Sequence, residues 1–174
     1  SYSGIGVSLH EDSPTGRSID NAVIGQNEYF YIVLSLVNES GNIPTQTITA
    51  GTSNGYQYPD GDSCQISSQT KSCSIKALNT RTNTRNLVLS NSGGLAVSPN
   101  TIPLYVAQYA YVVNVANGNN STYNATDVYK CLYNDSTGVL YPNCRAQGVA
   151  EQLNTNNFNP QKIIVSQGGE AYIT

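Results

Sequence analysis

The stretch that most restricts this chain's fold is residues 29–37, which read YFYIVLSLV and end in the turn-forming run Asn38-Glu39-Ser40-Gly41-Asn42. It is rich in aromatic and branched residues and too short for a buried helix. It therefore reads as the central buried strand. Alternation along it puts Phe30 and Ile32 on one face and Tyr29 and Tyr31 on the other. Shorter strand patterns surround it at residues 4–9, 22–25, 45–49, 56–58, 73–78, 86–89, 95–97 and 102–106. Clusters of Gly, Pro, Asn and Ser punctuate them. Short strands at about 8–12-residue intervals, with turn residues between, specify a β-sandwich or barrel.

The texture changes near Gln108. Residues 109–114 form a tight apolar strand, and a polar Asn- and Gly-rich loop follows at 116–126. Residues 127–133 and 139–144 read as a hairpin, 148–153 as one helical turn, and 162–165 and 171–174 as closing strands. The expected organisation is one domain over 1–107 and a second segment over 108–174.

Composition narrows the function classes. Only 11% of residues are charged, with 8 basic and 11 acidic side chains and a net charge of −3. No basic block exists to hold a phosphate backbone, so nucleic acid is not an expected partner. No apolar run approaches the roughly 18 residues of a membrane helix. The missing charge is replaced by Asn, Ser, Thr and Gln, and by 13 Tyr against 2 Phe. The sequence opens on Ser1, with no initiator Met and no basic start followed by an apolar stretch, which reads as a mature secreted chain or an excised fragment.

The four cysteines form two close pairs, Cys64/Cys73 and Cys131/Cys144, and neither has zinc-ribbon spacing. Three connectivities are possible. Each pair straddles a polar turn almost symmetrically, so the two local disulfides are expected, with partners facing each other across a hairpin. Each would contribute about 2–3 kcal/mol by closing a short loop. An oxidising compartment follows, and the chain is expected to be secreted, periplasmic or on the cell surface.

Candidate chemistry is sparse. The single histidine, His10, reads as part of a polar cluster at a strand end, because one histidine cannot build a multi-histidine zinc site. Gly51-Thr52-Ser53-Asn54-Gly55 has the spacing of a hydrolase nucleophile elbow, but Tyr56-Gln57-Tyr58-Pro59 follows where that elbow needs a helix. A glycine-rich turn is expected there. Asp60 and Asp62 offer two carboxylates on a Pro-Asp-Gly turn, the weak candidates for a cation. Five N-x-[ST] sequons, at Asn38, Asn119, Asn120, Asn124 and Asn134, are about what so much Asn, Ser and Thr produces. No catalytic set and no cofactor are expected. The rival enzyme reading is a secreted hydrolase using carboxylates such as Glu11, Asp60 or Asp62.

Two stretches resemble known families. Ala110-Tyr111-Val112-Val113-Asn114, then Val128-Tyr129-Lys130-Cys131, Thr137-Gly138-Val139-Leu140, Cys144, Phe158-Asn159-Pro160 and Gly168-Gly169-Glu170-Ala171-Tyr172-Ile173-Thr174 resemble the YVTN-type β-propeller repeat of secreted bacterial proteins. Cys64 followed by Ser72-Cys73-Ser74-Ile75 resembles a bacterial immunoglobulin-like domain. The resemblance implies an all-β chain, an immunoglobulin-like sandwich followed by one propeller repeat and the start of a second. It also implies a non-catalytic recognition or adhesion module. The tyrosines Tyr29, Tyr31, Tyr109, Tyr111, Tyr129 and Tyr133 are the candidate binding surface for protein or glycan, since Tyr offers apolar area and a hydroxyl at low entropy cost. A single blade leaves open edges, so the alternative is an assembly subunit, a homo-oligomer completed by β-edge pairing with another chain.

Overall fold

A computed structural model describes residues 4–19, 22–37, 41–52, 54–113, 128–141, 145–147, 163–165 and 171–173. Among these residues every regular element is a strand. The chain divides into two compact units, Ser1–Ala107 and Gln108–Thr174.

The first unit is two β-layers over one core. One layer contains β1 (Gly4–Glu11), β3 (Phe30–Val37), β5 (Tyr56–Gln57), β7 (Ser72–Asn79) and β9 (Val97–Ser98), in the spatial order β5-β7-β3-β1-β9. The other contains β2 (Val23–Gly25), β4 (Gln46–Ala50), β6 (Ser63–Ile66), β8 (Asn83–Asn91) and the first part of β10 (Thr101–Val113). Its order is β2-β10-β8-β4-β6.

Alternation decides which side chains enter the core. Phe30, Ile32 and Leu34 are buried while Tyr31 and Val33 between them are half-buried. Ile5, Ile75 and Ala77 join them from the same layer. Ile48, Ala50, Ile66, Leu87, Leu89, Leu104 and Val106 close over them from the other layer. Each fully buried aliphatic or aromatic side chain contributes roughly 1.5–3 kcal/mol.

Two polar knots close the corners. Gln46 is buried, accepts from Asn91 Nδ2 at 2.8 Å and Leu95 N at 3.1 Å, and donates to Pro44 O at 2.8 Å. Gly93 packs so closely here that a Cβ would lie 1.9 Å from Gln46 Oε1. Asn79, also buried, donates to Asn54 O at 3.1 Å and accepts from Arg81 N at 2.8 Å. Neither side chain gives up its water bonds without replacement.

Cys64 and Cys73 are joined at 2.04 Å, but not across a hairpin. Cys64 lies on β6, which pairs with β4 in the second layer; Cys73 lies on β7, which pairs with β3 in the first. The turn closed by Ser67 N to Thr70 O at 2.9 Å carries the chain from one layer to the other. The disulfide therefore clamps layer to layer. Ile66 and Ile75, both buried, need opposing layers to share one core, and this overrides the in-plane hairpin that symmetric spacing suggests.

The strands expected at 102–106 and 109–114 are not separate: residues 102–106 and 109–113 are parts of β10, which runs unbroken through Ala107 and Gln108. Neither residue is a turn former, so nothing breaks the strand. Pro103 is tolerated within it because the odd residues of β10 aim their N–H groups toward β2, as Tyr105 does to Ala22 O. β2 reaches only Tyr105, Val106 and Ala107. The missing N–H thus falls where no strand among the described residues pairs.

In the second unit, residues 108–113 of β10 pair antiparallel with β11 (Val128–Asn134). β11 in turn pairs with β12 (Val139–Leu140) and β13 (Arg145–Gln147). Asn134 Oδ1 accepts from Ser136 N and Thr137 N at 3.0 and 3.3 Å, and Gly138 takes the left-handed φ of 73° that closes the turn. Cys131 is buried and disulfide-bonded. Its expected partner Cys144, the polar loop at 116–126 and the helical turn at 148–153 lie outside the described residues. β14 (Ile163–Val165) and β15 (Ala171–Ile173) form a separate antiparallel pair.

Candidate recognition surface

The layer of β1, β3 and β7 has one face in the core and one outside. Its strand register builds the outer face in rows. His10, Tyr31 and Lys76 stand side by side on β1, β3 and β7. The next row is Ser8, Val33 and Ser74, and the one after is Gly6, Ser35 and Ser72. Tyr29, just before β3, is 49% exposed, and Lys76 Nζ sits 4.3 Å from its ring centroid. This is cation–π geometry, with the ammonium held against the ring rather than free in water. Ser35 Oγ and Ser72 Oγ are bridged at 3.3 Å.

His10 is held at both nitrogens. Nδ1 faces Gly16 O at 2.8 Å and therefore donates; in the neutral ring Nε2 then accepts from Ser8 Oγ at 2.8 Å. The chain Ser8–His10–Gly16 pins the loop after β1 onto the outer face. Arg17 Nε approaches Glu11 Oε2 at 3.8 Å in the same loop. A groove of about 370 Å³ opens beside Ser8, lined by Val7, Leu9, Ile19, Ile102 and Leu104 among others. It lies along β1 beyond the two residues that β9 covers. Its size is near the lower end of small-ligand pockets.

The candidate tyrosines fall in both units, and within the second they do not share one face. Tyr29 and Tyr31 are together, as alternation requires. In the second unit Tyr109 stands opposite Leu132 and Tyr133 opposite Gln108. These are adjacent rungs, so Tyr109 and Tyr133 project from opposite faces. Tyr111 and Tyr129 stand opposite Lys130 and Val112.

Two further tyrosines serve the core. Tyr56 donates to Arg85 O at 2.8 Å and Tyr58 to Gly51 O, with rings stacked at 6.5 Å. Burial pushes the Tyr56 phenol up to about 12, its bond to Asn79 and the charge of Arg85 opposing the shift. Burial also raises Tyr58, with Tyr56 and Asp62 adding to it.

Asp60 is exposed and Asp62 half-buried, on a turn where Gly61 N bonds Tyr58 O at 3.2 Å with φ of 105°. Among the described residues no three of His, Cys, Asp and Glu converge as a metal site. Asn54 and Gly55 take left-handed φ values of 61° and 85°, and strand β5 follows them, with no helix to support a nucleophile elbow. Ser53 lies outside the described residues. No described helix is long and apolar enough to cross a membrane.

Lys76 and the serines of the outer face were not singled out by the sequence. The signal for Lys76 is its place in an alternating strand, but its neighbours come only from cross-strand register. No protein-family model, no curated protein and no solved structure matches the chain.

Proposed function

We propose that the chain is a non-catalytic recognition module of a secreted or surface-exposed bacterial protein, binding protein or glycan through the outer face of the β1–β3–β7 layer. The observation that carries this is the half-exposed Tyr29 under the Lys76 ammonium, beside a row of Tyr31 and His10 and two rows bearing serine hydroxyls. An aromatic ring flanked by hydroxyls and a cation offers stacking area and hydrogen bonds with little entropy to lose. The strand order supports an immunoglobulin-like reading of the first unit: β1, β3 and β7 take the places of strands A, B and E, and β4, β8 and β10 those of C, F and G. The antiparallel β10–β11–β12 arrangement supports a propeller-type reading of the second. The test is binding to a glycan array and to a panel of immobilised surface proteins, with Tyr29→Ala and Tyr31→Ala as variants. Loss of signal in the variants, with unchanged melting temperature, is expected. Absence of any signal from the parent chain rejects the proposal.

A further inference from the structure

We infer that the outer edge of β7 is a self-complementary dimer interface, on which a second copy of this chain adds its own β7. This goes beyond the recognition reading and rests on the backbone ladder.

β7 pairs with β3 through Ser72 to Ala77, and with β5 only at Leu78 and Asn79. Among the described residues no strand pairs with the other edge of Ser72 to Ala77. Two hydrogen bonds fix which groups face that edge. Leu36 N donates to Lys71 O, so the odd residues of β7 bond β3; Thr80 N donates to Gly55 O, so the even residues face away. Ser72, Ser74 and Lys76 therefore aim both N–H and C=O off the sheet. Such an edge is a template for another strand.

The sequence along it suits a second copy. An antiparallel pairing about a two-fold axis at Ser74 puts Ser74 opposite Ser74, Ser72 opposite Lys76, and Cys73 opposite Ile75. Serine and lysine meet on the outer face, and the residues that face the core meet on the inner one, so neither pattern is violated. All three outward residues are used, giving about six backbone hydrogen bonds. A pairing centred on Lys76 would set like charges opposite each other, which selects against that register. The interface is isologous and closes at two copies. It would also join the two outer faces into a single surface.

Sedimentation equilibrium of the 174-residue chain, from micromolar to millimolar, tests this. Ser72→Glu places a carboxylate opposite Lys76 of the other copy, and Ser72→Lys places an ammonium there. Symmetry applies each change twice, so dimer affinity is expected to rise and to fall roughly tenfold respectively. Ser74→Pro removes an N–H that no bond among the described residues uses, and is expected to give a monomer. Circular dichroism and melting temperature report whether each variant is folded. A folded parent chain that stays monomeric throughout overturns the inference. So does a dimer whose affinity is indifferent to both Ser72 substitutions. Neither result bears on the glycan and protein binding test, which the monomer can pass alone.

Discussion

The two faces of the β1–β3–β7 layer are made from alternate residues of the same three strands, yet they obey different rules. On the inner face the buried centre is apolar and filled, by Ile5, Phe30, Ile32, Leu34, Ile75 and Ala77, with the buried Asn79 at one end of β7. On the outer face the same strands carry Ser8, His10, Tyr31, Ser35, Ser74 and Lys76. Burial dictates the first set. The core does not dictate the second set, and it is these side chains to which we assign the proposed recognition. Substitutions can separate the two roles.

The largest effect belongs to the inner face. Phe30→Ala is expected to cost about 3–5 kcal/mol, through lost transfer energy and the cavity left behind. Denaturant melts measure it, and a loss below about 1 kcal/mol would mean the core does not centre on β3. Removing the clamp between layers with Cys64→Ser and Cys73→Ser together is expected to cost about 2–3 kcal/mol for this short loop. Asn79→Ala leaves Arg81 N–H and Asn54 C=O without their partner and is expected to cost about 1–3 kcal/mol. A neutral result there would remove the corner knot from the account.

Alkaline titration probes the two buried phenols beside the core. Tyr56 ionises at an ordinary 10.0 when unfolded and at about 12 when folded. A raised folded value means its contribution is fully present below pH 10.0 and is lost as pH rises toward about 12. Tyr58 shifts in the same direction. Stability should therefore fall over that window, followed by phenolate absorbance. Tyr56→Phe should flatten the fall; an unchanged slope contradicts the assignment. The smallest stability change belongs to the outer face, where Tyr29→Ala is expected to cost less than about 1 kcal/mol while abolishing ligand binding.

Much of the inner face was legible in the sequence, because burial and alternation are local signals. The run at 29–37 marked the central strand, and the separation of Phe30 and Ile32 from Tyr29 and Tyr31 follows from a period of two. The Cys64–Cys73 pairing was legible from proximity. The layer crossing was not, because a turn between two strands looks the same whether they pair or part. Strand β6, with Ser63, Cys64 and Gln65 before one buried Ile66, carries too little alternation to be seen. The outer face was legible only in Tyr29 and Tyr31. The placement of Lys76 against Tyr29, and of His10 beside Tyr31, depends on register between strands far apart in the chain.

The most direct measurement is a glycan and surface-protein array probed in parallel with the parent chain and a Tyr29→Ala/Tyr31→Ala variant of equal melting temperature. The account predicts a discrete set of bound spots for the parent chain and none for the variant. A blank array for the parent chain, or the same spots for both, would contradict it.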